Sequence, residues 1–258
     1  MELIVFFILG VCVGSFLNVL VDRLPRNESF LKGRSHCEKC KKELAWYDLI
    51  PLLSFSFLKG KCRYCQVRLS WYYPAVELTT GFLFAAVLFF VLGRNINIIT
   101  FIYYCFIVSS LIVIFFSDLK YGIIPDKIVF PAILASFLFL ILNSQLSALN
   151  YLLSAVGASL FFLFLFLITR GRGMGFGDVK LAFLMGLILG FPNIVVSLYI
   201  AFLTGAVIGC ILIIWRKKKL AGTSIPFGPF LVLGTFLAII WGENLLQAVV
   251  LDLSSTTF

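Results

Sequence analysis

Two aspartates lie at the borders of long apolar runs, and their setting indicates chemistry. Asp118 follows the apolar run at residues 112–117, and Asp178 follows Gly175-Phe176-Gly177 and opens another apolar run. Acidic side chains at membrane borders usually serve a function, because charge is costly to place in lipid. Two carboxylates at one depth can share a proton and activate a water molecule for attack on a peptide carbonyl. The pair therefore predicts aspartic-protease chemistry.

Structural roles for the same residues stay open at this point. Asp178 can cap the helix that follows it, and Asp118 can pair with Lys120 at the lipid headgroups. Gly175 and Gly177 permit unusual backbone torsions and close passage of a substrate main chain, but they also suit a short connection between spans. Lys180 can tune the pair or extend its ammonium group toward the headgroups.

Glu77 and Asp126 are two further acids near apolar segments. Glu77 follows Pro74 and is expected in the first turn of a helix, where stabilisation of the helix start is the simpler account. Asp126 suits a cap or an interfacial charge.

Four cysteines predict a structural zinc site in the one long polar stretch. Two C-x2-C pairs are separated by 21 residues, a spacing that suits tetrahedral zinc. Disulfides or unligated thiols are the alternatives, and a reducing compartment favours zinc. Four protein ligands leave no open position for substrate, so the metal is expected to be structural. The four predicted ligands are Cys37, Cys40, Cys62 and Cys65.

The composition requires a polytopic, all-α membrane protein. Of the 258 residues 61% are hydrophobic and 13% are charged, with a mean hydropathy of +1.07. A spanning helix needs about 20 mostly apolar residues. Eight segments approach this length, although the sixth is short and can join the seventh through Phe191-Pro192-Asn193 as one kinked element. The predicted segments are 3–21, 75–93, 97–117, 128–142, 150–169, 179–191, 193–215 and 227–242.

The basic residues predict the orientation. With eight spans, 20 of the 21 Lys and Arg residues fall on one side, and only Arg94 falls opposite. Because basic residues beside spans stay in the cytoplasm, the cysteine loop and both aspartates are expected on the cytoplasmic face. The net charge of +9 then reflects topology and affinity for anionic membrane lipids rather than nucleic-acid binding.

This arrangement predicts three parts of the chain. Residues 1–21 form a first span, which we interpret as a retained anchor because it lacks a basic start. Residues 22–74 form a small zinc-stapled cytoplasmic domain between the first two spans, since so short a loop needs a metal to hold its fold. Residues 75–258 form the membrane domain that carries both aspartates.

At this point the sequence resembles the bacterial type IV prepilin peptidases, which are GxGD membrane aspartyl proteases. The resemblance covers nearly the whole chain, in the order of the family. Its motifs are residues 14–19, Arg23-Leu24-Pro25, both cysteine pairs, residues 73–78, Asp118-Leu119, Ile124-Pro125-Asp126 and residues 175–181.

The resemblance implies an activity at the bacterial cytoplasmic membrane. Asp118 and Asp178 would cleave the short basic leader of prepilins or pseudopilins. A second activity would methylate the new N-terminal amine with S-adenosylmethionine, with the cysteine domain as its expected seat. Glu77 and Asp126 would be candidate contacts for the basic leader or for the methyltransferase site. The oligomeric state does not follow from the sequence.

Two other classes of protein remain as alternatives. A transporter also uses intramembrane acids and glycine breaks, but it predicts acids near the bilayer centre and an internal repeat. A scaffold that recruits partners through the zinc loop would have no need of the aspartates.

Overall fold

The described part of the chain consists mainly of helices. The structure is a computed structural model that describes residues 1–30, 33–92, 97–143, 147–171, 173–216 and 226–255. Arg94 and the basic connection at residues 217–225 lie outside these ranges. The described helices are α1 (Glu2–Arg23), α2 (Leu53–Phe57), α3 (Tyr72–Leu92), α4 (Ile98–Tyr121), α5 (Asp126–Leu142), α6 (Ala148–Ile168), α7 (Phe176–Leu189), α8 (Asn193–Arg216) and α9 (Gly228–Ser255), with a 3-10 helix at Trp46–Leu49.

The predicted all-α fold is confirmed within the described ranges, and a helix lies at each of the eight predicted segments. Five helices (α1, α3, α4, α6 and α8) are long and apolar enough to cross a membrane. Two more, α5 and α7, are apolar but shorter, with 17 and 14 residues, and α9 is apolar over Gly228–Gly242. The chain is therefore a multi-pass membrane protein. The sixth and seventh segments are separate helices, because Gly190 ends α7 with a left-handed φ of +64°.

The chain divides into two compact units, whose boundary falls inside α4. The first unit is Met1–Ser117 and the second is Asp118–Phe258. The four cysteines and Glu77 belong to the first unit, and both aspartates of the predicted pair belong to the second.

In the first unit, α1 and α3 pack antiparallel along a face of small residues. A Cβ added at Gly14 would lie 2.8 Å from the Cα of Glu77, and one at Gly10 would lie 2.8 Å from the backbone oxygen of Thr80. On α3, a Cβ at Gly81 would lie 2.7 Å from Val11. These backbones approach closely only because glycine lacks a Cβ, as is typical of helix pairs in membranes.

In the second unit, α7 is the buried central helix. It packs against α5, α6, α8 and α9. A Cβ at Gly186 would lie 2.3 Å from the Cα of Ala155, so α6 and α7 are in backbone contact there. With 14 residues, α7 is about 21 Å long, shorter than the hydrocarbon core of about 30 Å. A helix that is apolar on all sides and short is stable here because protein surrounds it.

The turn after α7 is held by one side chain. The side-chain Nδ2 of Asn150 donates to the backbone carbonyl of Phe191 at 2.9 Å, and the backbone N–H of Phe191 donates to the Asn150 Oδ1 at 3.2 Å. This two-way contact ties the α7–α8 turn to the start of α6. Asp178 lies at the opposite end of α7.

Candidate active site

Asp118 lies in the last turn of α4 and is buried. Only 5% of its surface is exposed, although the sequence allowed it a place among the headgroups. Its Oδ2 accepts a hydrogen bond of 2.9 Å from the backbone N–H of Gly228, the first residue of α9. Since this N–H has no partner within α9, the carboxylate satisfies a helix end as well as its own burial.

Asp178 lies in the first turn of α7 and is equally buried, at 6% exposure. Its Oδ2 accepts a hydrogen bond of 3.1 Å from the N–H of Gly175, the residue that precedes the helix. The capping role allowed by the sequence is therefore present. The capping hydrogen bond occupies Oδ2 of Asp178 and leaves its other carboxylate oxygen available.

The two carboxylates lie within electrostatic range of each other. Each uses one oxygen for a backbone N–H, and no residue in the described part of the chain bonds the other oxygen. The fold thus brings together two buried carboxylates that are 60 positions apart in sequence, each with an oxygen available to a third group. Such a pair can hold a water molecule between a proton donor and a proton acceptor.

Each member of the pair contacts or lies at the N-terminus of a helix. Asp178 lies at the N-terminus of α7, and Asp118 contacts the N-terminus of α9. Sequence position alone, with Asp118 at the C-terminus of α4, predicts opposite dipole effects and therefore Asp178 as base and Asp118 as acid. The contact with α9 removes the basis for that distinction, and the assignment stays a prediction.

The two glycines of the GxGD sequence differ in their surroundings. A Cβ at Gly177 would lie 3.0 Å from the Cβ of Ile124, so α7 approaches the connection before α5 closely at this point. Gly175 has a φ of −81°, which any residue adopts, and a Cβ there would lie an ordinary 3.7 Å from Asp178. Close packing against Ile124 therefore explains a glycine at position 177. The backbone at Gly175 does not require one.

Gly228 is a site residue that sequence reasoning missed. It supplies the N–H to Asp118, and a Cβ added to it would lie 2.6 Å from the Asp118 Oδ2. The only signal in the sequence is a Gly-Pro pair at the start of the last apolar run. Neither the spacing nor the charge pattern connects that pair with Asp118.

We expect Gly228→Ala to lower the rate of substrate cleavage by roughly 100-fold, because displacing a reacting group by about 1 Å can have that effect. The added methyl group must push the Asp118 carboxylate from its present position. Gly157→Ala is the matched control, since a Cβ at that position of α6 meets nothing within 4 Å. Steady-state cleavage assays measure both variants, and equal activity of the two would contradict the assigned role of Gly228.

Lys180 and Asp126 are paired with each other. The Lys180 Nζ lies 2.6 Å from the Asp126 Oδ1, joining α7 to the first residue of α5. The ammonium group also lies over the rings of Phe130 and Phe176. The side chain of Asp126 is 53% exposed, so the pair contributes at most about 1 kcal/mol.

If Lys180 acts through this pair, Lys180→Met and Asp126→Asn should reduce cleavage alike, by less than about fivefold, because an exposed pair contributes so little. Parallel kcat/KM measurements on the two variants test this. A large loss confined to Lys180→Met would show instead that the lysine acts directly on the aspartate pair.

The four predicted metal ligands come together in the first unit. Their sulfur atoms all lie within 4.8 Å of one another, and the Sγ atoms of Cys37 and Cys65 are 3.8 Å apart. Tetrahedral zinc with Zn–S bonds of about 2.3 Å requires sulfur separations of about 3.8 Å. The donor set and its spacing therefore fit a four-coordinate metal ion, which Cys37, Cys40, Cys62 and Cys65 would hold.

The two cysteine pairs form matching turns. The Lys41 N–H donates to the Cys37 carbonyl at 2.8 Å, and the Gln66 N–H donates to the Cys62 carbonyl at 3.0 Å. Lys41 and Gln66 both have a left-handed φ, of 57° and 56°. Each pair is thus a compact knuckle, as the C-x2-C spacing predicts.

An ion pair and the thiols themselves set the electrostatics of the second knuckle. Asp48 accepts a hydrogen bond of 2.7 Å from the Nε of Arg63, which raises the pKa of that guanidinium. A backbone hydrogen bond at Val67 lowers the pKa of Cys65, but desolvation and the three neighbouring thiols together raise it to about 11. Metal binding at this cluster therefore requires that thiol protons be released.

Glu77 has a different role from the one expected at a helix start. Because α3 begins at Tyr72, Glu77 lies in the second turn and does not stabilise the first. It is buried, at 8% exposure, and its Oε2 accepts a hydrogen bond of 2.8 Å from the N–H of Leu52. The simpler sequence account of Glu77 was therefore wrong.

Fold and site together define an all-helical, multi-pass membrane protein with a buried carboxylate pair and a four-thiol cluster. A family profile described as the bacterial peptidase A24 N-terminal domain matches residues 8–91. A second, described as the type IV leader peptidase family, matches residues 105–210.

Related proteins match along most of the chain. The prepilin leader peptidase/N-methyltransferase of Bacillus subtilis is 33% identical over 249 residues, which cover 94% of this chain and 96% of that protein. The protein of the same name from Pseudomonas aeruginosa is 30% identical over 267 residues, covering 92% and 90% of the two chains. No solved structure gives a significant match. The chain belongs to the type IV leader peptidase family, and the resemblance noted in its sequence is confirmed.

Proposed function

We propose that this protein cleaves the leader peptide of type IV prepilins or pseudopilins and N-methylates the new N-terminus. Membership of the leader peptidase family supports both activities, since the related proteins are named for both. The observation that carries the proteolytic proposal is the pair of buried carboxylates at Asp118 and Asp178, each anchored by one backbone N–H. Membership of this family does not favour the transporter and scaffold alternatives.

In the proposed reaction, one carboxylate is ionised and the other protonated. The ionised group takes a proton from a water molecule, whose oxygen then attacks the scissile carbonyl carbon. The protonated group gives its proton to the carbonyl oxygen, so charge does not accumulate on the tetrahedral intermediate. The hydroxyl proton then returns to the carboxylate that gave it as the carbonyl re-forms, the C–N bond breaks, and the other carboxylate gives the proton it took from water to the departing amine. Because the pair titrates as a unit, each residue can take either role.

The fixed N–H groups of Gly175 and Gly228 have a positioning role in this scheme. Each holds one oxygen of its carboxylate and leaves the other oxygen for a water molecule or substrate. Preorganised contacts of this kind lower the cost of reaction because they need no rearrangement in the transition state.

We propose that the active site and the cysteine cluster face the cytoplasm from the bacterial inner membrane, as the distribution of basic residues predicts. Residues 1–21 would be the first span, residues 22–74 a zinc-binding domain associated with methyl transfer, and residues 75–258 the peptidase domain. Zinc is proposed for the cluster because four closely spaced thiolates suit it. S-adenosylmethionine would supply the methyl group when bound.

Purified protein, incubated with a prepilin and isotopically labelled S-adenosylmethionine, tests both activities. Mass spectrometry of the product should show loss of the leader and a labelled methyl group on the new N-terminus. Intact prepilin after prolonged incubation would refute the proteolytic function. A cleaved but unmethylated product would refute the second activity alone.

A further inference from the structure

A second polar cluster lies inside the first unit, between α1 and α3. We call Ser15, Asn18 and Glu77 the Glu77 cluster. The Ser15 hydroxyl donates to the Glu77 carboxylate, which also accepts the N–H of Leu52 at 2.8 Å. The amide nitrogen of Asn18 donates to the Tyr73 carbonyl at 3.1 Å. Asn18 and Glu77 are both buried, at 6% and 8% exposure.

The cluster lies near the loop-side ends of both spans. Gly14 faces the backbone of Glu77, and Asn18, one turn further along α1, contacts Tyr73, one turn earlier along α3. Asn18 and Glu77 are therefore on adjacent turns of one antiparallel interface. The connection between α1 and α3 reaches back to it at Leu52, whose φ of +58° is unusual for leucine. Strained backbone of this kind persists where the surroundings hold it in place.

Two features of the cluster call for a ligand. The Oδ1 of Asn18 is buried and has no hydrogen-bond partner. Within the described part of the chain, Glu77 forms no ion pair with a lysine or arginine. A buried carboxylate without a neighbouring cation and a buried amide oxygen without a hydrogen-bond donor are both costly, because each loses its hydration.

Both features call for the same chemistry. A carboxylate and an amide oxygen accept hydrogen bonds and attract positive charge, so the missing group is a cationic N–H donor. An anionic group would be repelled by Glu77. A sulfonium ion has the charge but no N–H to offer to Asn18. A primary ammonium group meets both requirements.

We propose that Asn18 and Glu77 bind the α-ammonium group at the N-terminus of the cleaved substrate. This assignment rests on the proposed function, because leader cleavage creates that group at the start of an apolar segment. An apolar substrate helix leaves its new N-terminus near the end of the membrane spans, which is the level of the Glu77 cluster. The amino group of a methionine-derived cofactor has the same chemistry and is the competing source.

Glu77 also prepares the amine for methylation. Its carboxylate takes one proton from the bound ammonium, so that an O–H bond forms as an N–H bond breaks. The nitrogen keeps the bonding electrons as a lone pair and becomes a neutral amine. Only the neutral amine is nucleophilic, so this transfer must precede methylation.

Anchoring of Leu52 alone is the competing explanation for Glu77, and Glu77→Gln separates the two. Glutamine keeps a side-chain oxygen that can accept the Leu52 N–H, but it carries no charge and cannot take a proton. Thr80→Val is the matched control, since Thr80 is buried in the same interface. Valine replaces the hydroxyl by a methyl group of similar size and leaves the charge unchanged.

Binding measured without methyl donor tests the ammonium site directly. The probes are an apolar peptide that begins with phenylalanine and has a free N-terminus, the same peptide N-acetylated, and S-adenosylhomocysteine. Wild type and Thr80→Val should bind the free peptide at least about tenfold more tightly than the acetylated one. In Glu77→Gln that preference should fall below about twofold, while the affinity for S-adenosylhomocysteine stays unchanged.

Methylation and cleavage are then measured on the same proteins. Glu77→Gln should lose methylation of the free peptide by on the order of 100-fold while retaining leader cleavage. A wild type without preference for the free amine would overturn the site. Equal losses of cleavage and methylation in Glu77→Gln would overturn it in favour of a structural role. Weaker binding of S-adenosylhomocysteine alone would overturn the peptide assignment in favour of the cofactor.

These outcomes separate the site from the activity it serves. A wild type that prefers the free amine through Glu77 but does not methylate it would refute the proposed methyl transfer while the ammonium site stands. A wild type that methylates without that preference would leave the proposed function in place and refute the site.

Discussion

We expect Asp178→Asn to lower kcat/KM for leader cleavage by roughly 1,000-fold or more, and Asp118→Asn to do the same. Asparagine preserves the shape of the carboxylate and can still accept the N–H of Gly175 or Gly228, but it can neither take nor deliver a proton. Removal of one member of a general acid–base pair has effects of this order. Leader cleavage followed by mass spectrometry over several hours measures losses of this size.

Asp126→Asn is the matched control for both variants. It makes the same substitution in the same unit, on a side chain that is 53% exposed and paired with Lys180. Its activity should stay within about fivefold of wild type. Substantial cleavage by either variant of the aspartate pair, in protein that elutes as wild type does, would show that the buried carboxylates only stabilise helix ends.

The second large effect concerns the cysteine cluster. We expect purified protein to contain one zinc ion per chain and Cys62→Ser to lose it, because a structural zinc site supplies about 10 kcal/mol or more toward folding. Cys62 is the most buried of the four thiols, at 3% exposure. Loss of the metal should expose the connection between α1 and α3 to protease and abolish methylation. Elemental analysis and limited proteolysis measure both.

Cys210→Ser is the control for this experiment, since Cys210 lies on α8 in the second unit and is exposed. It should retain one zinc ion and wild-type resistance to protease. Metal-free wild type whose intact mass shows four hydrogen atoms missing would instead establish two disulfides. Metal-free wild type with four free thiols, in which the connection between α1 and α3 resists protease, would show that this connection needs no metal to keep its fold.

Much of the architecture follows from local sequence, because a membrane span and a metal knuckle are both local patterns. Apolar length located the eight apolar helices of the described chain, and Gly190 confirmed that the sixth and seventh segments are separate. The C-x2-C spacing predicted the knuckles, since two thiols at that spacing already share one turn. Asp118 and Asp178 were recognisable because acids are rare at the ends of apolar runs.

The contacts that sequence reasoning did not find join distant parts of the chain. Gly228 lies 110 positions from Asp118, and only helix packing brings its N–H to that carboxylate. Glu77 depends on Leu52 in the same way, through a backbone conformation that leucine rarely adopts. Sequence position alone also gave the wrong surroundings for Asp118 and Glu77. Asp118 was expected to experience a helix C-terminus and meets the N-terminus of α9, and Glu77 was expected in the first turn and lies in the second.

The central claim is that Asp118 and Asp178 act as one catalytic unit. The most direct measurement is kcat/KM for wild type, for each Asp→Asn variant and for the double variant. Residues that act together lose almost all activity at the first substitution, so their effects do not add. We predict that the double variant falls within about threefold of the more impaired single variant. Two losses that multiply in the double variant would contradict a shared mechanism.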